Sequence, residues 1–174
     1  MAVFYHAESV MSVFGQPLWD FSLSLYACEG MEPLCLLLQD ERQANVNAFL
    51  WALWLDENRI PVDRELWHTG MKRIESWHQW RVKPLRQLRR ALPKRQPWLA
   101  LRSRVKQWEL AAEKKELHEL QALSQGWDNL GGSPPACGQF CYRLLLLPET
   151  DPLQAELERV LTRWRGVENT SKAR

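Results

Sequence analysis

The sequence predicts an all-α protein: a compact single-domain bundle of about six helices, with a long helix near residues 97–124 and short disordered termini. Three observations predict this fold. Apolar residues recur at helical spacing through most of the chain, and prolines and glycines interrupt that spacing where helices would end. A chain of 174 residues with 45% hydrophobic content is also long and apolar enough for one core. We expect a flexible N-terminus (1–15), one helical domain (16–166) and a disordered tail (167–174).

The first third of the chain predicts three helices. Pro17 stands at a first helical position and is followed by apolar residues on one face until Gly30. Pro33 begins a short second helix. Asn45 is a good N-cap for the third helix, whose residues 46–55 are apolar all round. The third helix is therefore predicted to be the buried centre of the core.

The middle of the chain predicts three more helical segments. Asp63 caps a helix that Pro84 ends or kinks, and a short helix follows before Pro93 and Pro97. The long helix comes next and ends at Gly126. We expect its apolar stripe to pack against neighbouring helices. The stripe consists of Trp98, Leu101, Val105, Trp108 and Ala112, followed by Leu117, Leu120 and Leu123.

The end of the chain predicts a loop, one ambiguous segment and a final helix. Residues 131–138 are rich in Gly and Pro and predict a loop, whereas 140–147 predict either a short strand or an apolar helical turn. Asp151 and Pro152 begin the last helix. Its inward residues are predicted to be Leu153, Leu157, Val160, Leu161 and Trp164.

Charge is distributed unevenly along the chain, although the net charge is only +2. Residues 1–58 contain one basic and eight acidic residues, whereas 59–108 contain fourteen basic and three acidic residues. The segment from Arg81 to Lys106 contains ten basic residues and no acidic one, with Trp80 and Trp98 near its ends. Such a segment has the composition of a surface that holds phosphates and stacks on bases.

The basic segment therefore predicts a site for an anionic partner, either RNA or an acidic protein. The predicted binding residues are Arg86, Arg89, Arg90, Lys94, Arg95 and Trp98. The competing interpretation is that the acidic first third of the chain neutralises these cations inside the fold. A second hypothesis is a helical protein-interaction module or homodimer that buries exposed tryptophans at an interface, with Trp80 and Trp98 as the candidates among the ten in the chain.

No catalytic motif is recognisable, so the protein is predicted not to be an enzyme. A remote alternative is a small enzyme that uses the Glu109, Glu113 and His118 neighbourhood, or the region of Gln39 and Asn47. His68 and His78 lie ten residues apart on one predicted helix, beside tryptophans, and are expected at the surface or rim.

No metal or other cofactor is predicted. The cysteines Cys28, Cys35, Cys137 and Cys141 do not repeat the Cys-x-x-Cys unit, so free thiols are expected, although a site joining the two pairs stays open. Glu109, Glu113 and Glu116 share one flank of the long helix but lack the Glu-x-x-His partners of a di-metal bundle. We expect them to form salt bridges with Lys106, Arg102 or the neighbouring basic helix.

The chain is predicted to be cytoplasmic. Its first residues lack the basic and apolar regions of a secretory signal. The longest apolar run, residues 48–55, is far below the ~18 residues that a membrane-spanning helix needs.

Four short segments resemble a known bacterial family: residues 19–26 (WDFSLSLY), 35–40 (CLLLQD), the Val46-Asn47 pair with Trp54-Leu55, and 84–90 (PLRQLRR). Over residues 17–125 the chain resembles the family called domain of unknown function 2390. The resemblance implies a small, cytoplasmic, all-helical protein of Gram-negative bacteria with no established activity, cofactor or catalytic residue. One departure is that residues 42–45 (RQAN) stand where the family leads us to expect a turn containing glycine.

Overall fold

The computed structural model describes residues 16–58, 60, 62, 64–125 and 152–172. Several predictions lie outside these residues. They are the flexible N-terminus over 1–15, the caps at Asp63 and Asp151, the loop over 131–138, the segment 140–147, and the thiols of Cys137 and Cys141.

The described chain is helical. Its elements are α1 (Leu18–Tyr26), α2 (Met31–Glu41), α3 (Val46–Glu57), α4 (Arg64–Trp77), a π-helical turn (His78–Val82), α5 (Lys83–Ala91), α6 (Leu99–Ser124) and α7 (Pro152–Lys172). Because α4, the π-helical turn and α5 follow one another without a break, the described residues form six continuous helical segments and no strand. The predicted all-α bundle of about six helices is confirmed.

The predicted cap at Asn45 explains where α3 begins, whereas α2 begins at Met31 and not at the predicted Pro33. Asn45 caps α3: its side-chain oxygen accepts the backbone N–H groups of Asn47 at 2.9 Å and Ala48 at 3.2 Å. The turn before α3 contains Gln43 at φ 54°, a left-handed conformation that favours glycine. The family resemblance suggests a turn containing glycine at this place. Gln43 adopts the left-handed conformation of such a turn although it is not glycine.

The helix that begins at α4 does not end at Pro84, because a π-helical turn precedes the proline. The backbone N–H of Lys83 bonds to His78 O, five residues back. Pro84 then falls in the first turn of α5, where its missing N–H is tolerated. In a regular α-helix, residues spaced four apart shift gradually around the helix axis. The wider π-helical turn offsets that shift. Ile74, His78 and Val82 are consequently all buried.

α3 is the centre of the core, as its composition predicts, and all ten residues from Val46 to Leu55 are buried. The Trp51 ring stacks on Trp67 of α4, with ring centroids 5.1 Å apart, and its Nε1–H donates to Ser124 Oγ at 2.8 Å. A Cβ added at Gly70 would lie 2.3 Å from Cη2 of Trp51. Glycine is therefore required where α4 crosses this ring.

The predicted stripe on α6 is only partly buried. Four of its residues are buried, namely Val105, Ala112, Leu117 and Leu120. In contrast, Trp98, Leu101 and Trp108 are 43%, 42% and 52% exposed. The prediction that this whole stripe packs against neighbouring helices is wrong. Helical spacing shows which residues share a side of a helix, but it does not show whether another helix covers that side.

α7 packs against α2 through its predicted inward face, since Leu157, Val160, Leu161 and Trp164 are buried. The Trp164 ring meets Phe21 edge to face at 5.2 Å, and its Nε1–H donates to Ser24 Oγ at 3.0 Å. The helix continues to Lys172, through the first part of the tail predicted to be disordered from residue 167. Once a helix exists, each added residue gains a backbone hydrogen bond without needing an apolar contact.

Within the described ranges, no single helix has the length and apolar content to span a membrane. Taken together, α1 and α2 pass that test of length and composition, but they meet at a bend of 103°.

Candidate functional site

Two arginines of α5 face the glutamates of α6. Arg86 donates from Nε to Glu109 Oε1 at 3.2 Å and from an Nη to Glu113 Oε1 at 2.5 Å. Arg89 donates from Nε and from an Nη to the two oxygens of the Glu109 carboxylate. These forked contacts lie at a largely buried helix–helix contact, because the Arg86 and Glu109 side chains are 12% and 5% exposed. The expectation that the α6 glutamates pair with the neighbouring basic helix is confirmed for Glu109 and Glu113. It is wrong for Glu116, which contacts His78 instead.

Two further arginines of the basic segment also bond within the chain. Arg90 donates to Asp40 Oδ1 at 2.9 Å, which joins the basic segment to the acidic first third. Arg102 donates to the backbone oxygens of Arg89 and Leu92, the latter at 2.8 Å, and so caps the last turn of α5. Internal neutralisation therefore accounts for part of the basic segment.

The six residues predicted to bind an anion divide into two groups. Arg86, Arg89 and Arg90 are paired with carboxylates of the chain. The other three lie between α5 and α6 or at the start of α6 and are exposed: Lys94, Arg95 and Trp98. An anionic partner would thus meet the second group first.

Burial and pairing shift the ionisation of the charged cluster in opposite directions. Burial raises the pKa of Glu113, and the nearby Glu109 and Glu116 add to this, while the hydrogen bond and charge of Arg86 oppose it. The exposed Asp40 shows the reverse, because the hydrogen bond from Arg90 lowers its pKa. The surroundings of Glu113 therefore stabilise its ionised form less well than those of Asp40 do.

A buried polar network lies one turn further along α6, where Glu116 is fully buried and His78 is 6% exposed. The Nδ1 of His78 lies 3.0 Å from Glu116 Oε1, at the distance of a hydrogen bond donated to the carboxylate. The side-chain amides of Asn45 and Asn47 donate to the two Glu116 oxygens at 2.7 and 3.1 Å. The expectation that His78 lies at the surface or rim is wrong; His68 is exposed as expected.

One sequence signal could have located this network. Glu116 lies between the buried Ala112 and Leu120 at steps of four, so it occupies a row that faces the core. Its partner His78 could not be found in the same way, because the π-helical turn changes the register of the helix that carries it.

A cleft of about 380 Å³ opens where α1, α2 and α3 approach α5 and α6. It brings together residues named in the small-enzyme alternative: Gln39, Asn47, Glu109 and Glu113. His118 does not line the cleft and is exposed elsewhere on α6. The two glutamates are already held by arginines, so the cleft wall is occupied by internal ion pairs.

A buried thiol lies beside Tyr26, which lines the cleft. Burial raises the pKa of this thiol, Cys35, to about 12. Cys35 is therefore an unreactive thiol, as the sequence predicts for a buried cysteine. Across the described ranges, no three or more His, Cys, Asp or Glu side chains are grouped so that they could hold a metal ion.

The exposed stripe is the second surface of interest, and we define it as Trp98, Leu101 and Trp108. Leu101 and Trp108 lie seven residues apart and hence on the same side of α6. Arg104 is exposed between them, three residues after Leu101 and four residues before Trp108. Three further leucines in this part of the chain are also exposed: Leu88, Leu99 and Leu110. An apolar surface of this kind, with a cation within it, is typical of a protein interface.

The class of protein that these features define is a helical bundle with a buried core and an apolar and basic helix surface that no other described element covers. The chain belongs to the family described as protein of unknown function (DUF2390), whose model matches residues 17–120. That match confirms the resemblance seen in the sequence and includes the cleft, the buried network and the exposed stripe. No curated protein and no solved structure matches the chain.

Proposed function

We propose that the protein is a binding or adapter protein, without catalysis, that docks an acidic segment of a partner protein on the exposed stripe. One observation carries the proposal: Trp98, Leu101 and Trp108 are about half exposed on a helix surface that no other described element covers. Tryptophan and arginine are the side chains most enriched where interfaces hold their binding energy.

The chemistry of the stripe favours a protein over RNA. The arginines best placed on α5 to hold phosphates, Arg86 and Arg89, are engaged by Glu109 and Glu113. Leucine has no ring on which a base can stack, yet Leu101 stands within the stripe and Leu88 and Leu99 are exposed nearby. An apolar partner side chain matches these residues better than a nucleotide does.

The charge around the stripe favours an acidic partner. Residues 78–108 include no acidic residue. Lys94, Arg95 and Arg104 are exposed there, and none of them forms an ion pair with another described residue. A partner segment that combines carboxylates with apolar anchors would complement both properties of this surface.

Site-specific photo-cross-linking in cells tests the proposal. A photoreactive phenylalanine analogue replaces Leu101, and the matched control carries it at Leu37, an exposed leucine of α2. We expect Leu101 to cross-link to one discrete protein through a peptide that contains both acidic and apolar residues. Cross-links to RNA, to a second copy of this chain, or with equal yield from Leu37 would overturn the proposal.

Two substitutions make the test specific to the chemistry of the stripe. Arg104→Glu should lower the cross-link yield and weaken binding about tenfold, and binding should also weaken as salt rises. The charge control is Lys72→Glu, because Lys72 is an exposed lysine on α4, away from the stripe. Equal effects of the two charge reversals would show that net charge, rather than this surface, governs the association.

A further inference from the structure

A shallow groove of about 520 Å³ lies where the π-helical turn meets α6, apart from the exposed stripe. Its lining includes two tryptophans and two cations: Trp77, Trp80, Arg81 and Lys115. The groove combines aromatic rings and positive charge on neighbouring elements of the fold.

The ring of Trp77 is held in place between α4 and α6. Its Nε1–H donates to the backbone oxygen of Ala112 at 3.0 Å. The Lys115 Nζ lies 4.1 Å from the ring centroid and the Arg81 Cζ lies 6.0 Å from it. The fixed ring thus has two cations beside it. At exposed sites such a contact is weak, and it leaves both charges in place.

The carboxylates that line the groove are already engaged. Glu119 accepts two hydrogen bonds from Arg73, and Glu116 is buried in the network with His78. Neither Arg81 nor Lys115 forms an ion pair with any residue in the described part of the chain. With Arg73 and Glu119 paired, the groove has two cations against the one buried carboxylate of Glu116. An anion would complement this excess of positive charge.

Trp80 supplies an unused ring in the same groove. It is 75% exposed, the largest exposed fraction among the large hydrophobic side chains of the described residues. A free indole face next to uncompensated cations suits a planar ring that bears an anionic group.

We propose that this groove binds a nucleoside 5′-phosphate, with the phosphate between Arg81 and Lys115 and the base against Trp80. The ligand is either a free mononucleotide or the 5′-phosphorylated end of an RNA strand, because both present the same chemistry. The site is separate from the stripe proposed to dock a protein, and it shares none of the residues that define that stripe.

Isothermal titration calorimetry with adenosine 5′-monophosphate tests the site, with adenosine and inorganic phosphate as comparison ligands. We expect the nucleotide to bind at least ~5-fold more tightly than either, because stacking and charge contribute together. Oligoadenylates with and without a 5′-phosphate distinguish the two sources: a tighter complex with the phosphorylated strand than with the mononucleotide assigns the site to RNA ends. No detectable nucleotide binding, or phosphate binding as tight as nucleotide binding, would overturn the proposal.

Surface substitutions locate the binding in the groove. Lys115→Ala, Arg81→Ala and Trp80→Leu should each weaken nucleotide binding about 5- to 10-fold. The matched control is Lys114→Ala, since Lys114 places its ammonium over Trp19 instead, 5.1 Å from that ring. Trp108→Ala changes the stripe and should leave nucleotide binding unchanged. If Lys115→Ala and Lys114→Ala have the same effect, the assignment to this groove is wrong.

Discussion

The two halves of α6 are used differently. In the C-terminal half, Glu116, Leu117, Leu120 and Ser124 are buried and contact partners in the core. The N-terminal half buries Val105 and Glu109, but it leaves Leu101 and Trp108 about half exposed. One continuous helix therefore belongs to the core at one end and presents apolar surface at the other.

This difference teaches that stability and binding should be separable along one helix. Substitutions in the C-terminal half remove contacts that the folded state needs. Substitutions on the exposed side of the N-terminal half remove side chains that are about half exposed and pack little against the described part of the fold. Variants of the C-terminal half and variants of the exposed N-terminal side should therefore differ by several kcal/mol in the free energy of unfolding.

The largest expected loss comes from Glu116→Ala. His78, Asn45 and Asn47 would lose their common acceptor in the interior, so we expect the free energy of unfolding to fall by about 4 kcal/mol. Urea denaturation followed by far-ultraviolet circular dichroism measures this change. Glu119→Ala, at a more exposed pair with Arg73, is the control and should cost no more than ~1 kcal/mol. Similar losses in both variants would contradict the contrast between buried and exposed glutamates.

Leu120→Ala tests the apolar contribution of the same half. Leu120 is fully buried, and truncating it should lower the free energy of unfolding by about 3 kcal/mol. Leu101→Ala makes the same chemical change in the other half and should stay within ~0.5 kcal/mol of the parent. The denaturation midpoints of the two variants are measured together. Equal shifts would refute the contrast between the buried C-terminal half and the exposed side of the N-terminal half of α6.

Glu109→Ala should fall between these extremes. It leaves Arg86 without one of its carboxylates, and Arg89 without its only carboxylate partner among the described residues. However, Arg89 is 26% exposed and can recover hydrogen bonds from water. We expect a loss of about 2 kcal/mol in thermal or chemical denaturation. Arg90→Ala, at an exposed pair with Asp40, should change stability much less and serves as the comparison.

The pH dependence of stability should reveal Glu113, which lies at the junction of the two halves. Its folded-state pKa is raised above the ordinary value of 4.5, so the folded protein binds this proton more tightly than the unfolded chain does. The contribution of Glu113 is present below that ordinary value and is lost as pH rises through the folded-state pKa. Stability measured from pH 4 upward should therefore decline less with pH in Glu113→Gln than in the parent. A parallel decline in both proteins would contradict the assignment.

Trp108→Ala should have the smallest effect on stability and a large effect on binding. Half of this side chain is already in water, so the free energy of unfolding should change by no more than ~0.5 kcal/mol. If the proposed docking is right, association with the partner should weaken by at least about tenfold. A calorimetric unfolding scan and a binding titration on the same preparation give both values. A large loss of stability would show that the exposed stripe is part of the core.

The sequence could predict the fold because its strongest signals are local. The all-round apolar composition of residues 46–55, the cap at Asn45 and the apolar spacing of α7 each depend on residues close together in the chain. The register of the helix that passes Pro84 could not be predicted in the same way. The π-helical turn depends on contacts of His78 and Val82 with the rest of the fold, and these are set by tertiary packing.

The candidate site was predictable only in part, for the same physical reason. The basic segment could be seen in the sequence, but its pairing with Glu109 and Glu113 depends on how closely α5 approaches α6. The exposure of Leu101 and Trp108 likewise depends on which side of α6 has a neighbour. Periodicity assigns residues to a side of a helix, but it does not show which sides another described element covers.

The close approach of Trp51 to Gly70 limits how this sequence can change over evolutionary time. A side chain at position 70 would collide with the indole, and a smaller residue at position 51 would leave a cavity beneath α4. Neither position can therefore change alone without a large penalty, although both could change together. Among relatives that keep this crossing of α3 and α4, the two positions should vary as a pair: a large ring with glycine, or a smaller side chain with a larger neighbour.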